Sequence, residues 1–395
     1  MAFSARFFLL TLFGWYVFQE TGSAWFVGFV GLCWTTPLIP LGMVGGIIAD
    51  SSLRKKTLCV TQSVGLVCVF AMTLLAITGH LEFWHTFPLI LTFGICDSLD
   101  MPSRRTIAHN LLGNDLITNG ISLEIFGIAI ALTIGPILAG SVVGLYGIPV
   151  AGYVLIIMMS VSLLLVSKLP AGNGPSTQPI NSNFIENIIG GVHYTFTKPI
   201  LAGLVLITII VNIFLFPHYN LMPVFATEIL ETGPIGLGFL QGAAGLGSVI
   251  GSLLLASRSN LSYHGRVLII GAMIGLISLL IFSLSSTYIL CIVFIFILGL
   301  GISFFAATQP LLAILISRHE MRGKALGVVN LAIGSGPIGV LLLSGIAETM
   351  NNPAIALTIT SSVGLFLVTL IVLIIKDLRL STKVAADTNK DIQCH

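Results

Sequence analysis

Long apolar runs separated by short polar segments dominate this chain, and the pattern predicts membrane-spanning helices. Each run is long enough to cross a hydrocarbon core of ~30 Å as a helix of ~20 residues. The runs are continuously apolar and do not alternate over strands of about ten residues, which argues against a transmembrane β-barrel. Twelve spans are predicted, numbered 1 to 12 in chain order: residues 2–19, 24–49, 57–79, 84–103, 119–144, 148–167, 200–222, 235–256, 265–285, 287–317, 323–346 and 353–375.

A polar segment divides the spans into two groups of six. It begins with a stretch from Pro170 to Ser176 that is rich in Pro, Gly and Asn, the composition of a flexible linker. Beyond it, apolar side chains recur at helical spacing and predict a short helix on the inner membrane surface: Phe184, Ile185, Ile188, Ile189 and Val192. We predict an N-terminal six-helix bundle (1–167), a cytoplasmic linker with this interfacial helix (168–199), a C-terminal six-helix bundle (200–376) and a cytoplasmic tail (377–395).

The two halves also repeat each other in order. Four landmarks of the first half return about 200 residues later. They pair Glu20-Thr21-Gly22 with Glu231-Thr232-Gly233, Gly46 with Gly251, Pro102 with Pro310, and Gly135-Pro136 with Gly336-Pro337. Two like-oriented bundles of this kind predict an all-α transporter with its binding site between the halves, near the bilayer midplane.

Composition agrees with lipid as the main solvent. The 395 residues are 56% hydrophobic and only 8% charged, which excludes a water-soluble fold. The formal charge of +2 indicates no nucleic-acid partner. The six cysteines form no CxxC pair or zinc spacing, the eight histidines are scattered, and neither HExxH nor GxSxG occurs. We therefore predict no metal, no cofactor and no enzyme.

Basic residues lie on one side of the predicted membrane. All 17 Lys and Arg fall at even-numbered connections or at the termini, whereas the opposite side carries glutamates and no Lys or Arg. By the positive-inside bias, both termini are predicted in the cytoplasm. No cleavable signal pattern is present, so span 1 is expected to stay in place. The predicted location is the cytoplasmic (inner) membrane of a bacterium.

The connection after span 2 resembles motif A of the major facilitator superfamily. Gly46 is followed after three residues by Asp50, and then by the basic run Arg54-Lys55-Lys56. The match is partial, because Ser51 and Leu53 stand where the superfamily usually has a basic residue and a glycine. The resemblance implies the major facilitator fold of two pseudo-symmetric six-helix bundles.

Further segments resemble one branch, the enterobactin-exporter-like proteins or transmembrane secretion effectors. The resemblance extends from Thr21 to span 12 and rests on these stretches: Asp100 to Arg105, Asn119 to Ser122, Gly135 to Gly140, Leu221 to Ala226, Gly242 to Gly247 and Arg322 to Lys324. Members usually carry more residues before the segment that matches Phe3 to Phe18. We expect Arg6 at the inner surface, with a short span 1, because a mid-membrane arginine is costly; a late start would instead place it deeper, facing the cavity.

Motif A implies a conformational latch on the cytoplasmic side. In that reading Asp50 packs against the start of span 11, near Arg322 and Gly323, where free N–H groups favour an anion. The resemblance also implies that Arg54 pairs with an acid at the end of span 4, for which Asp100 is the candidate. The alternative is an ordinary solvated loop.

Two membrane-embedded acids are candidates for proton or substrate binding. Asp97 and Asp100 lie three residues apart on one face of span 4, and Asp100 can pair with Arg104 one turn on. Asp97 has no neighbour in sequence to neutralise it, so it is the first choice for protonation or substrate contact. Glu124 in span 5 is the second choice, with a polar role near the interface as an equally good alternative.

Span 5 also resembles motif C, which antiporters of the superfamily carry. Its members here are Gly127, Gly135, Pro136 and Gly140, where proline bends a helix and glycine lets another helix approach. Uncharged polar residues in later spans either line a cavity or bond neighbouring helices. They are Asn212, Gln241, Gln309 and Asn330.

Taken together, these features predict a secondary-active transporter that works by alternating access. The first hypothesis is a proton-coupled exporter of a small amphipathic molecule such as a siderophore or drug, acting as a monomer with protons, substrate and lipid as partners. The rival is a proton-coupled importer of a small nutrient, and motif C favours export only weakly. A non-transporting membrane sensor is a minor alternative, since only a short tail follows Lys376.

Overall fold

The computed structural model describes residues 1–38, 40–41, 54–169, 184–257 and 263–379. Within these ranges every long element is an α-helix, as the apolar runs predict, and no strand occurs. The helices are α1 (Ala2–Thr21), α2 (Ala24–Thr35), α3 (Arg54–Ile77), α4 (Thr86–Ser167), α5 (Phe184–Phe196), α6 (Pro199–Phe214), α7 (His218–Glu228), α8 (Gly233–Ala256), α9 (His264–Ser283), α10 (Tyr288–Ile316), α11 (Arg322–Ile333), α12 (Gly336–Met350) and α13 (Pro353–Ile374).

Eight helical segments among the described residues are long and apolar enough to cross a membrane. They are Lys55–Ile77, Leu123–Ser167, Pro199–Glu228, Gly233–Ala256, His264–Ser283, Tyr288–Ile316, Arg322–Met350 and Pro353–Ile374. The second of these has 45 residues and contains most of predicted span 5 and all of predicted span 6. The chain is therefore a multi-pass membrane protein, and the total of twelve spans stays a prediction.

Helix α4 folds back on itself and is not a straight rod. Ile107 and Val166 are separated by 59 positions, which a straight helix would place roughly 90 Å apart. Both side chains nevertheless pack against Leu58 of α3 in one buried cluster. One reversal lies at Gly147, whose φ of 81° belongs to the left-handed region that glycine adopts without strain. This is where the sequence predicts the connection between spans 5 and 6.

Contacts divide the chain into two compact units. Unit 1 consists of Met1–Pro179 and Asn220–Gly245, and unit 2 consists of Ile180–Tyr219 and Leu246–His395. Each unit thus combines a long stretch of the chain with a shorter one. The domain boundaries proposed from the sequence remain a prediction.

In unit 1, α1 packs along α4 through large apolar side chains. Phe8, Leu12 and Phe13 are almost completely buried. At the other end of the helix, the Tyr16 hydroxyl donates a hydrogen bond to the Leu81 carbonyl at 2.6 Å. Because lipid is as apolar as these side chains, close packing and such bonds stabilise the contact more than burial from water does.

In unit 2, α9 and α10 approach closely at two glycines. A Cβ at Gly271 would stand 2.7 Å from the Gly301 carbonyl oxygen, and a Cβ at Gly301 would stand 2.7 Å from the Gly271 carbonyl oxygen. Nearby, the Ser248 hydroxyl of α8 donates to the Gly299 carbonyl at 3.1 Å. Small residues at these positions therefore set the distance between the helices.

Two of the predicted spans are broken helices, and both breaks lie in unit 2. Span 7 is interrupted between α6 and α7, just before Pro217 and His218, and span 11 is interrupted at Gly334 and Ser335 between α11 and α12. Proline and Gly/Ser pairs are usual causes of such breaks. The two interruptions meet, because a Cβ at Gly339 would stand 2.7 Å from the Pro217 ring.

The short helix predicted after the linker is confirmed as α5. Its Gly191 packs against α11, where a Cβ would stand 3.1 Å from the Lys324 carbonyl oxygen and 3.2 Å from a Val328 methyl carbon. The opposite side of α5 exposes apolar side chains, with Ile189 63% and Phe196 52% exposed. Its position on the membrane surface stays a prediction.

Candidate functional site

Four charged side chains of unit 1 form a buried cluster between α1 and α4. Arg6 makes an ion pair with Asp97, and the same guanidinium nitrogen lies 3.9 Å from an Asp100 oxygen. Arg104 pairs with Asp100 through its Nε. The exposed fractions of the side chains are 14% for Arg6, 9% for Asp97, 6% for Asp100 and 23% for Arg104. Two cations and two anions thus compensate each other away from solvent.

Helical spacing explains one part of this cluster. Asp97, Asp100 and Arg104 fall on one face of α4, because positions three, four and seven apart stack along a helix. The fourth member comes from α1, whose first turns place Arg6 opposite that face. A buried charge is costly unless it is paired, so each aspartate here has an arginine partner.

Aromatic and polar groups surround the four charges. The Phe3 ring lies 5.0 Å from the Arg6 guanidinium and 5.6 Å from that of Arg104, and the Trp34 ring lies 5.8 Å from Arg6. These distances are within the range of cation–π attraction. On α3, the Thr61 hydroxyl donates to Asp100 at 3.4 Å. Residues of α1, α2, α3 and α4 therefore all contact the cluster.

Unused hydrogen-bonding capacity remains next to these charges. The buried Nη2 of Arg104 has no hydrogen-bond partner among the described residues. The side-chain amide nitrogen and oxygen of Gln62 are also buried and have none among these residues. Gln62 follows Thr61 directly and is 6% exposed. Buried polar atoms normally bond something, so this region has donors and an acceptor available to water or a ligand.

The cluster changes the interpretation of two residues. The Arg6 side chain is buried and paired, because two aspartates of span 4 compensate its charge; its expected position at the inner membrane surface stays a prediction. Asp97, which lacks a neutralising neighbour in sequence, receives one from α1. The expected pairing of Asp100 with Arg104 is present. Whether Asp97 binds protons or substrate stays a prediction.

The predicted latch lies partly outside the described residues and stays a prediction. Asp50 lies outside them, and so does the side chain of Arg54. Arg322 and Gly323 are exposed at the start of α11. Glu124, the second acid candidate, is half-buried between the exposed side chains Leu123 and Ile125.

Three of the four uncharged polar candidates bond neighbouring groups, and they do so in two places. In unit 2, the Gln309 amide donates to the Thr208 hydroxyl at 2.9 Å, and the Asn212 amide donates to the Thr208 carbonyl at 2.9 Å. In unit 1, the Thr11 hydroxyl and Gln241 Oε1 are 2.7 Å apart. Asn330 is exposed on α11 and joins neither group.

The motif C positions lie along a close helix contact inside unit 1. Gly135 packs on α1, where a Cβ would stand 2.7 Å from the Ser4 carbonyl oxygen. Further along, a Cβ at Gly140 would stand 2.9 Å from the Gly238 Cα of α8, and one at Gly238 would stand 2.6 Å from the Pro136 carbonyl oxygen. Gly127 has nothing within 4 Å of such a Cβ. Glycine is thus sterically required at Gly135 and Gly140, and not at Gly127.

Sequence reasoning missed several polar residues of this protein. His218 is buried at the break of span 7, where its Nδ1 lies 2.6 Å from the Leu215 carbonyl oxygen and its Nε2 has no partner among the described residues. The adjacent Pro217 was the available signal, since proline in an apolar span marks a break. Gln62, Thr11 and Thr208 gave no comparable signal, because single polar residues are common in such helices.

Comparison with known proteins gives concordant results for family and fold. The sequence profile described as transmembrane secretion effector matches residues 11–392. An enterobactin exporter, EntS of Shigella flexneri, is 23% identical over 371 residues, which cover 91% of this chain and 82% of that protein. Among solved structures, the peptide transporter POT superposes with a TM-score of 0.76 at 12% identity, covering 95% of this chain and 92% of that one. The nucleoside transporter NupG gives 0.71 at 16% identity, with 94% and 96% covered.

Proposed function

Because this chain belongs to the transmembrane secretion effector family, a branch of the major facilitator superfamily of transporters, we propose that it exports a small amphipathic molecule, of the siderophore or drug class, by proton-coupled alternating access. The observation that carries this proposal is the buried cluster of Arg6, Asp97, Asp100 and Arg104 inside a membrane protein. Charged side chains within membrane-spanning segments are energetically costly, and they usually take part in transport.

Export is favoured by two independent observations. The relatives that match nearly the whole chain are named enterobactin exporters, and the chain has a motif C-like segment of the kind found in antiporters. Gly140 of that segment packs against Gly238 of α8, with no side chain between the two backbones. Small residues at such a contact let two helix backbones approach closely, as expected of a motif C segment.

Proton coupling is proposed to act through Asp97. While Arg6 pairs with it, the carboxylate is stable in its charged form. A helix movement that separates the two leaves a buried carboxylate without its cation, and uptake of a proton removes that cost. When Arg6 returns, the proton leaves to the side that is then open. Arg6 is meanwhile kept near Asp100, which lies 3.9 Å away in the described state.

The remaining elements of the proposal concern topology and gating. Basic residues on one side support a bacterial inner membrane protein with both termini in the cytoplasm. The motif A resemblance supports a cytoplasmic latch of Asp50 and Arg54 with the start of span 11, and the protein is proposed to act as a monomer.

A second candidate is proton-coupled import of a small nutrient. The same charge cluster supports it, since a carboxylate that binds and releases a proton can drive either direction. A non-transporting sensor is disfavoured, because the family and the relatives that match this chain are transporters. The direction of transport distinguishes the first two functions in a single measurement.

The test uses everted membrane vesicles that contain the full chain. Labelled enterobactin and an amphipathic cationic dye serve as probes, each with and without an imposed pH gradient. We expect accumulation of one probe that depends on the gradient and is lost in Asp97→Asn, while Asp377→Asn, at an exposed site after α13, behaves like the wild type. Uptake into right-side-out vesicles only would establish import instead. Gradient-driven accumulation that persists in Asp97→Asn would refute the role of this carboxylate.

A further inference from the structure

One face of α5 carries apolar side chains that the rest of the described chain does not cover. Ile189 is 63% exposed, Val192 37% and Phe196 52%. Their spacing of three and four residues places them in one row along the helix. The other face is filled by α11, whose Lys324 backbone and Val328 pack against Gly191. This row, Ile189, Val192 and Phe196, is called the α5 stripe below.

Two cationic residues, Lys198 and Arg318, adjoin Tyr194 at the C-terminal end of the α5 stripe. The Lys198 ammonium is 5.7 Å from the Tyr194 ring, and the backbone N–H of Arg318 donates to the Tyr194 hydroxyl at 3.1 Å. Partial burial and the positive charge of Arg318 both lower the pKa of Lys198 below its usual 10.5. The two positive charges are therefore held close enough to disfavour each other, and a bound anion would relieve this.

Two hydroxyls next to these cations are buried and unused. Thr195, one position after Tyr194, is 1% exposed, and Ser317, one position before Arg318, is 5% exposed. Neither hydroxyl oxygen has a hydrogen-bond partner among the described residues. In addition, Lys198 directly precedes α6, and the start of a helix presents free N–H groups that favour an anion. Cationic residues, buried hydroxyls and a helix start thus lie within a few positions of each other, in two short segments near the end of an apolar row.

We propose that α5, with Lys198 and Arg318, binds one anionic phospholipid of the surrounding membrane. Its acyl chain lies along the α5 stripe and its phosphate lies between the two cations. A lipid is the occupant that matches both parts, because it joins an apolar chain to a negative headgroup, and basic residues beside an amphipathic helix are typical of anionic lipid recognition. A free phosphate would leave the stripe uncovered. This proposal does not depend on what the protein transports or in which direction.

Native mass spectrometry of the full-length protein in detergent tests the proposal. The protein is mixed with equal amounts of phosphatidylglycerol and phosphatidylcholine of the same chain length. We expect one phosphatidylglycerol to be retained, with a roughly 30-fold weaker apparent affinity in Lys198→Gln/Arg318→Gln, since two cation contacts are lost. Lys198→Arg/Arg318→Lys should restore binding, which shows that charge and not folding is responsible.

Two further variants separate the parts of the proposed site. Ile189→Ser/Phe196→Ser should weaken retention of phosphatidylglycerol while leaving the cations in place. The control Arg266→Gln changes another cation on an aromatic ring, 4.3 Å from Tyr263, and should bind like the wild type. Equal retention of both lipids, or unchanged binding in Lys198→Gln/Arg318→Gln, would mean nonspecific surrounding lipid and overturn the proposal. Displacement by inorganic phosphate at equal concentration would also overturn it, in favour of a simple anion site.

Discussion

The ion pair of Arg6 and Asp97 should be asymmetric in its contribution to stability. Arg6→Gln leaves Asp97 without any cation in salt-bridge range among the described residues, since Arg104 reaches only Asp100. Removing one partner of a buried pair in this way costs about 3–5 kcal/mol. Asp97→Asn is different, because Arg6 remains 3.9 Å from Asp100. At an effective dielectric constant of about 20, that remaining attraction is worth roughly 4 kcal/mol before desolvation.

We therefore expect Asp97→Asn to destabilise the protein by about 1–2 kcal/mol, the cost of an impaired charged hydrogen bond. The double variant Arg6→Gln/Asp97→Asn removes one cation and one anion together and leaves the Asp100–Arg104 pair intact. It should be more stable than Arg6→Gln alone by about 1 kcal/mol. Together with the cost of Asp97→Asn, this amounts to a coupling of about 2–3 kcal/mol, as expected of residues in direct contact.

The assay is thermal unfolding of the purified protein in detergent, followed by tryptophan fluorescence at one detergent concentration. Asp377→Asn, at an exposed position, serves as the control and should shift the unfolding midpoint very little. The decisive comparison is between the double variant and Arg6→Gln. If the two single effects simply add in the double variant, the pair does not interact in the way the structure describes, and the proposed role of Arg6 in coupling loses its basis.

Three further predictions concern other parts of the molecule. Gly238→Val, whose Cβ would meet the Pro136 carbonyl oxygen at 2.6 Å, should lower vesicle transport roughly tenfold or more, whereas Gly127→Val should have little effect; equal losses would argue against the close contact. Gln309→Leu should cost about 1 kcal/mol of stability in thermal unfolding, and adding Thr208→Val should cost little more, since the hydrogen bond between them is already lost; additive losses would contradict this. A cysteine at Glu82, with the native cysteines replaced, should react with a membrane-impermeant maleimide in intact cells, and one at Lys376 only after permeabilisation; the reverse pattern would overturn the predicted topology.

The helical, multi-pass character of the protein was predictable from sequence because it depends on local composition. An apolar run in lipid has to satisfy its own backbone groups, and a helix does so within one segment. Breaks were harder to place. Gly147 was recognisable as a connection between two runs, whereas the interruption before Pro217 falls inside a single run and depends on which helix packs there.

The candidate site was predictable only where its members are close in sequence. Asp100 and Arg104 lie one turn apart, so their pairing follows from helical spacing. Arg6 and Asp97 lie on different helices, and no pattern in the chain indicates which residues of two helices face each other. The pairing of Arg6 was missed for this reason: its cost in the membrane was considered without the partner that compensates it. Its expected place at the inner membrane surface stays a prediction.

The contact between the two interrupted helices has a mechanical consequence. Pro217 ends the gap in span 7, and its ring rests on Gly339, one turn beyond the gap in span 11. A Cβ at Gly339 would stand closer still to the Ile213 carbonyl oxygen, so α12 also rests on the last turn of α6. With no side chain at Gly339, no space separates these backbones, and a tilt of α12 about the interruption at Gly334 and Ser335 has to displace the end of α6 as well. The two interruptions therefore form one mechanical joint, in which neither can bend alone.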